Sequence, residues 1–181
     1  MVVQTRLTVE EFEKLAELPE NAHKRLEFIG GEVVEVVSNS DSSEIAAMVL
    51  AEIITYVKSK KLGRVTGADG GYMVAGERYM PDVAFISNIK QPERPHVSWN
   101  PIAPNLAIEV VSPSDLPKDI TDKVANYLAA GTVVWVIYPN DQQVKLYEPG
   151  QPVKTVTADA ILEGGNVLPG FSVPLKDIFT E

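Results

Sequence analysis

The chain has 181 residues, of which 45% are hydrophobic and 23% charged, a balance typical of one globular domain spanning residues 1–181. No apolar run approaches the roughly 20 residues of a membrane-spanning helix, so no membrane partner is expected. The sequence contains no cysteine, which excludes disulfides and thiolate-bound zinc; with an N-terminus that lacks a secretory pattern, this predicts a cytoplasmic protein. The formal net charge of -9 argues against tight nonspecific binding to nucleic acid.

The first third of the chain predicts a helix, a hairpin and a second helix. Thr8 followed by Glu11 is a capping box, and we expect the short helix that it starts to end before Pro19. Gly30-Gly31 lies between two apolar-rich runs, which predicts a tight hairpin. Apolar residues then recur at helical spacing over residues 43–60, which predicts a long amphipathic helix.

The middle and end of the chain predict a mixed sheet with helices packed on it. GRVTGADGGYMV and PDVAFIS read as the next two strands, joined by a turn around Ala75-Gly76-Glu77, and the proline-rich residues 88–105 predict a long loop. LAIEVV predicts a strand, SPSDLPKDITDKVANYLAAG a helix that ends at a glycine, and TVVWVIYP another strand. The remaining C-terminal segments predict short strands and turns.

Two carboxylates stand next to or inside apolar strands. Glu109 lies within the run LAIEVV, where an ionised group must be neutralised, paired or bound to a metal. Asp82 directly precedes the apolar run VAFI, and an aspartate at such a strand start, taken alone, is more often a turn or solvent-facing residue than a metal ligand. Mg²⁺ binds one or two carboxylates and completes its octahedron with water and phosphate oxygens. Together, therefore, Asp82 and Glu109 predict a Mg²⁺ site between neighbouring strands.

The segments PDVAFI, LAIEVVSPSD, DITDKVANYLAAG and VVWVIYP resemble the Uma-type family of putative restriction endonucleases, a branch of the PD-(D/E)XK nuclease-like superfamily. The resemblance includes RLEFIGGEVVE near the start and LPGFSVPLKDIF at the end. It implies an α/β fold: a restriction-endonuclease-like core with a mixed central sheet flanked by helices, an N-terminal hairpin and C-terminal strand extensions. It also implies Mg²⁺-dependent hydrolysis of DNA phosphodiester bonds, with Mn²⁺ as a substitute ion, and homodimers or larger homo-oligomers.

The resemblance assigns catalytic roles to four residues. Asp82 and Glu109 correspond to the metal-binding acidic pair. Strand alternation puts Val111 on the face of Glu109, where the superfamily carries a lysine, and the Uma-type pattern instead has its lysine in the next helix, at Lys123. Without the resemblance, Lys123 is a helix-surface cation paired with Asp119.

Glu44 is the fourth implied catalytic residue, at the start of the first core helix. Any glutamate in a first helical turn is also favoured by the helix dipole, and Ile45 stands where the family often has histidine. Tyr127, one turn after Lys123, fits either a hydrogen bond in the site or a core position.

The acidic charge and the missing histidine leave two alternatives to an active nuclease. One is a catalytically degenerate nuclease fold that serves as a nucleic-acid or protein interaction module, and the other is a purely structural oligomer. A basic cluster at residues 58–64, comprising Lys58, Lys60, Lys61 and Arg64, is either a DNA contact or a solvated helix end.

Overall fold

A computed structural model describes residues 6–179 of the protein. The helices are α1 (Val9–Ala16), α2 (Ser40–Lys60) and α3 (Pro117–Ala129), and short 3-10 turns lie at Pro19–Asn21 and Leu175–Asp177. The strands are β1 (Leu26–Ile29), β2 (Glu32–Glu35), β3 (Gly63–Gly67), β4 (Gly71–Val74), β5 (Glu77–Tyr79), β6 (Val83–Ser87), β7 (Trp99–Asn100), β8 (Leu106–Val110), β9 (Val133–Tyr138), β10 (Gln143–Tyr147), β11 (Lys154–Thr157), β12 (Ile161–Glu163) and β13 (Ser172–Pro174).

The strands form two large sheets and one hairpin. The five-stranded sheet has the order β2-β1-β5-β4-β7, and the six-stranded sheet has the order β11-β10-β9-β8-β6-β3. In the six-stranded sheet β8 and β9 are parallel while the other pairs are antiparallel, and α3 makes the crossover that a parallel pair requires. This mixed sheet confirms the predicted class, and β10 to β13 are the expected C-terminal strand extensions.

The helices cover the sheets in layers, with α3 in the middle. Phe12 of α1 packs on Leu26 and Phe28 at the outer face of the five-stranded sheet. Val124 and Tyr127 of α3 are buried among apolar residues of both sheets, and α2 covers the opposite face of the six-stranded sheet. Any polar side chain on the inner face of α3 is therefore enclosed between the two sheets.

The structure confirms the predicted N-terminal elements, but the second helix begins at residue 40 rather than residue 43. Thr8 and Glu11 form the capping box of α1, and Gly30 and Gly31 have φ of +60° and +87°, which suits the two-residue turn between β1 and β2. Helix α2 begins at Ser40 because the Asn39 side chain accepts a hydrogen bond from the Ser42 N–H at 2.8 Å.

The prediction for the segment before β6 was too simple. GRVTGADGGYMV holds two strands, β3 and β4, which belong to different sheets, and the turn at Ala75–Gly76 joins β4 to β5. Gly71 permits this arrangement, since a Cβ there would lie 2.5 Å from the Trp99 ring. The loop over residues 88–105 carries the short β7, which pairs in parallel with β4. Within residues 6–179, no helix is long and apolar enough to span a bilayer.

Candidate active site

A cavity of about 330 Å³ opens between the β1–β2 hairpin, the end of β8 and the first half of α3. Seven of its lining residues in the described chain carry carboxylates and one carries an ammonium group: Glu27, Glu32, Glu35, Asp82, Glu109, Asp115, Asp119 and Lys123. Glu27, Glu109 and Lys123 are 2%, 5% and 5% exposed. The cavity therefore combines an acidic rim with a buried cluster of charges.

The six-stranded sheet brings Asp82 and Glu109 together. Val83 of β6 pairs with Ile108 of β8, so the next position of the antiparallel register places Asp82 opposite Glu109. The N–H of Val110 donates to Asp82 Oδ2 at 2.8 Å, which fixes the aspartate beside the strand end. Val111 packs with the apolar residues that face α3, the side on which Glu109 lies, as strand alternation predicts.

Lys123 lies on the inner face of α3 and extends towards Asp82 and Glu109. Its Nζ donates to Glu109 Oε2 at 2.7 Å and to both carboxylate oxygens of Glu27 at 3.1 Å. The alternative of an exposed pair with Asp119 is wrong; the i,i+4 surface pair of α3 is Lys118 with Asp122 at 2.8 Å. Because an ammonium has three donors, the protein engages all the hydrogen-bonding capacity of Lys123.

Glu27 is the central residue that the sequence analysis missed. It lies in β1 between Leu26 and Phe28, and its Oε1 also accepts a hydrogen bond from the Met80 N–H at 2.5 Å. The sequence carries the same signal as for Glu109, a carboxylate inside a short apolar strand, but RLEFIGG by itself predicts only one arm of a hairpin. Glu27 links the five-stranded sheet to the lysine of α3.

Two tyrosines complete the buried cluster. The hydroxyl of Tyr127 donates to Glu109 Oε1 at 3.0 Å, so Tyr127 occupies a core position and contacts the candidate site as well. The Tyr79 ring packs edge-on against Tyr127 at 5.3 Å between centroids, and Lys123 Nζ lies 5.7 Å from the Tyr79 centroid. Asn126 donates to the Tyr79 hydroxyl at 2.6 Å, which fixes that ring.

One lysine cannot neutralise three neighbouring carboxylates, and the pKa values reflect this. Burial raises the pKa of Glu109 to about 7; Glu27 and Asp82 reinforce the rise, and Lys123 opposes it. Burial also raises the pKa of Asp82, against the Val110 N–H and Lys123. For Lys123, burial acts to lower the pKa, but the charges of Glu109 and Glu27 outweigh it and raise the pKa. The cluster thus has a surplus of negative charge.

The acidic pair is chemically suited to a hard divalent cation. Each carboxylate oxygen of Glu109 has one hydrogen-bond donor, and Asp82 Oδ1 has Arg25 at 3.8 Å, so both groups keep free lone pairs. In the part of the chain that the structure describes, no three His, Asp or Glu side chains are spaced to hold a metal. A Mg²⁺ ion here would therefore rely on two protein carboxylates, with water and substrate oxygens as its other ligands.

The structure does not bring Glu44 to this site. Glu44 is exposed on α2 and lines a separate cavity with Asp41, Met48 and Asn140. Its neighbour Ile45 packs against the core under the six-stranded sheet, which turns Glu44 outwards. We therefore leave Glu44 out of the candidate active site.

The basic cluster is also remote from the cavity. Ser42, at the start of α2, donates to the Val111 carbonyl at 3.2 Å beside the cavity, whereas Lys58, Lys60 and Lys61 are exposed at the other end. The 21 residues of α2 separate the two ends by about 30 Å. Arg64 donates to the Gln91 carbonyl at 2.6 Å and so supports the long loop.

The layered fold and the buried carboxylate–lysine cluster define a protein of the restriction-endonuclease-like α/β class. The family model described as "Uma2: Putative restriction endonuclease" matches residues 9–176. The chain belongs to the Uma2 family, which confirms the resemblance seen in its sequence motifs.

One solved structure has the same fold over nearly its whole length. The chain is similar to a putative nuclease belonging to DUF820 from Anabaena variabilis ATCC 29413, with a TM-score of 0.84 and 23% identity over 96% of this chain and 97% of that chain. At this identity the likeness establishes the fold alone. Comparison with curated proteins gives no match.

Proposed function

We propose that the protein is a Mg²⁺-dependent endonuclease that hydrolyses DNA phosphodiester bonds. The observation that carries this proposal is the convergence of Asp82, Glu109 and Lys123 in one cavity, with Lys123 Nζ 2.7 Å from Glu109. The Uma2 family is described as "Putative restriction endonuclease" and the similar Anabaena protein as a "putative nuclease", and both descriptions support the proposal.

Asp82 and Glu109 would hold Mg²⁺, or Mn²⁺ in its place. When bound, the ion supplies Lewis-acid polarisation of the phosphate and lowers the pKa of the attacking water. Lys123 is proposed to stabilise the negative charge that develops on the phosphate in the transition state.

Glu27 would allow Lys123 to stabilise the phosphate charge while the ammonium group stays in its observed position. Glu27 accepts two of the hydrogen bonds from Nζ and Glu109 accepts the third. If Glu109 turns its Oε2 towards a cation, Glu27 still holds the ammonium group, and one N–H becomes available to a phosphate oxygen. Glu27 is therefore proposed as the residue that positions Lys123.

The acidity of the cavity favours a second candidate, a degenerate nuclease fold that serves as an interaction module. Glu32, Glu35, Asp115 and Asp119 add to the negative charge around the site and repel phosphates. An active enzyme must offset this repulsion with bound cations, whereas an interaction module needs no such cation. Homo-oligomer formation stays a prediction under either proposal.

Cleavage assays with matched variants distinguish the two candidates. Supercoiled and single-stranded DNA are incubated with the protein in Mg²⁺, Mn²⁺ or chelator, and Mn²⁺ binding is followed by calorimetry. We expect cleavage by the wild type only with a divalent ion, and loss of both cleavage and Mn²⁺ binding in Asp82→Asn. The control Asp141→Asn removes an exposed carboxylate outside the cavity and should change neither. A wild type that never cleaves with any metal would favour the interaction module.

A further inference from the structure

Arg25 lies beside the cavity and has only loose contacts with the rest of the protein. Its Nη2 is 3.8 Å from Asp82 Oδ1 and 3.5 Å from the Met80 carbonyl, and its Nε is 3.8 Å from Asp69 Oδ1. A guanidinium can donate five hydrogen bonds, usually at 2.7 to 2.9 Å to carboxylates. Within residues 6–179, Arg25 therefore makes no contact of the length expected for a fully formed ion pair.

The Nε of Arg25 is buried and, among the described residues, has no hydrogen-bond partner. A buried donor without a partner is unfavourable, and native structures seldom keep one without a reason. The carbonyl of Arg25 accepts a hydrogen bond from the Val36 N–H at 2.8 Å, so the hairpin fixes the backbone. The side chain is 23% exposed, which leaves it open to a ligand from solvent.

The position of Arg25 complements that of Lys123. Arg25 directly precedes β1, and the Val36 N–H to Arg25 carbonyl bond continues the β1–β2 pairing, so strand alternation places Arg25 on the same face as Glu27. Lys123 contacts Glu109, whereas Arg25 lies next to Asp82, so each carboxylate of the acidic pair has its own cationic neighbour. A phosphate brought to the acidic pair would lie near both cations.

We propose that the Arg25 guanidinium binds one phosphate group of a nucleic-acid strand on the Asp82 side of the cavity. This inference rests on the proposed nuclease function and adds a substrate-binding residue to it. The planar guanidinium can give two parallel N–H donors to one phosphate, which supplies the short contacts that its protein neighbours do not.

Asp69 competes with that phosphate for Arg25. Its side chain is 92% exposed, so the contact at 3.8 Å is screened by water and easily displaced. Removal of the Asp69 charge should therefore make Arg25 more available to DNA. The two residues give substitutions that we expect to act in opposite directions.

The test is DNA binding by fluorescence anisotropy, measured over a range of salt concentrations in Ca²⁺ and in chelator. Arg25→Gln should weaken duplex binding roughly tenfold or more, since a hydrogen bond to a charged group is lost. It should also lower the slope of log K against log salt by about 0.9, the value for one phosphate contact. Arg94→Gln, which removes an exposed arginine at a different cavity, is the control.

Asp69→Asn is the second variant, and its exposed position makes misfolding improbable as an explanation. We expect tighter DNA binding than that of Asp141→Asn, which makes the same change in net charge at an exposed site away from the cavity. If Arg25→Gln does not fold, as judged by thermal unfolding, the Asp69→Asn comparison decides.

The proposal is overturned if Arg25→Gln keeps the wild-type salt slope, if Arg94→Gln lowers the slope equally, or if Asp69→Asn binds no tighter than its control. Absence of any DNA binding by the wild type overturns it too. Failure of the nuclease function is a separate result, namely a wild type that binds DNA with the Arg25-dependent slope but cleaves nothing in Mg²⁺ or Mn²⁺.

Discussion

Replacement of Lys123 by methionine removes a buried charge while largely keeping the volume of the side chain. Glu27 and Glu109 would remain, 2% and 5% exposed, without the cation that both contact. Removal of one partner from a buried ion pair costs about 3 to 5 kcal/mol, because the remaining charge is left in a poorly solvated place. For a chain of this size each kcal/mol lowers Tm by about 2 to 4 °C, so the expected drop is roughly 6 to 20 °C.

This result reverses the expectation for a surface lysine. An exposed pair with Asp119 predicts that substitution of Lys123 leaves folding almost unchanged, since solvent-exposed pairs contribute little. Lys118 provides the matched control, because it forms the exposed i,i+4 pair of the same helix with Asp122. Lys118→Met should leave stability close to that of the wild type.

The assay is urea unfolding of the wild type, Lys123→Met and Lys118→Met at pH 8 and at lower pH. The folded-state pKa of Lys123 is raised, so its stabilising charge is fully present below the unfolded value near 10.4 and is lost only as pH rises through the folded value. The loss in Lys123→Met should shrink as pH falls, because Lys123 is what lowers the pKa of Glu109 to about 7, and without it Glu109 takes up a proton at a higher pH. A loss under about 1 kcal/mol at pH 8 would refute the view that Lys123 neutralises a buried pair.

Three further outcomes are expected. Glu109→Gln should abolish Mn²⁺ binding in calorimetry yet be at least as stable as the wild type at pH 8. Because the pKa of Glu109 is raised on folding, this stability advantage should be lost as pH falls from about 7 to about 4.3. A variant less stable than the wild type at pH 8 would contradict this reasoning. Tyr127→Phe should lose about 1.5 to 3 kcal/mol in urea unfolding, since it removes a hydrogen bond to a buried carboxylate, and an unchanged midpoint would show that this bond contributes nothing. Neutralisation of Lys58, Lys60 and Lys61 should weaken the binding of DNA duplexes longer than about 9 base pairs but not of shorter ones. The reason is that α2 puts these lysines about 30 Å from the cavity. Equal effects at all duplex lengths would contradict this geometry.

Local sequence patterns were enough to select residues that the structure brings together in the candidate site. A carboxylate inside an apolar strand identified Glu109, and a carboxylate at a strand start identified Asp82, which the β6–β8 register then placed opposite it. The family resemblance indicated Lys123, although periodicity alone could not show that two sheets would enclose it. Glu27 was missed because its role depends on Lys123, a residue 96 positions away.

Non-local pairing also explains what went wrong in the fold. The short segment between Gly67 and Gly71 connects a strand of the six-stranded sheet to a strand of the five-stranded sheet. The alternation of apolar residues does not predict with which strand each of them pairs. A glutamate in the first turn of a helix is favoured whichever face of the helix it occupies. Only the packing of Ile45 into the core shows that Glu44 faces away from the cavity.

The enclosure of α3 between the two sheets has a consequence for the order of folding. Asp82 and Glu109 meet within the six-stranded sheet, but Glu27 and Lys123 join them only when the five-stranded sheet packs on α3. We therefore expect the charges of this cluster to be dehydrated late, when most of the apolar surface is already buried. Interactions absent from the transition state alter the unfolding rate and leave the folding rate almost unchanged. Substitutions in this cluster should therefore move the unfolding arm of the chevron, so that the residues proposed for catalysis also set how long the native state persists once formed.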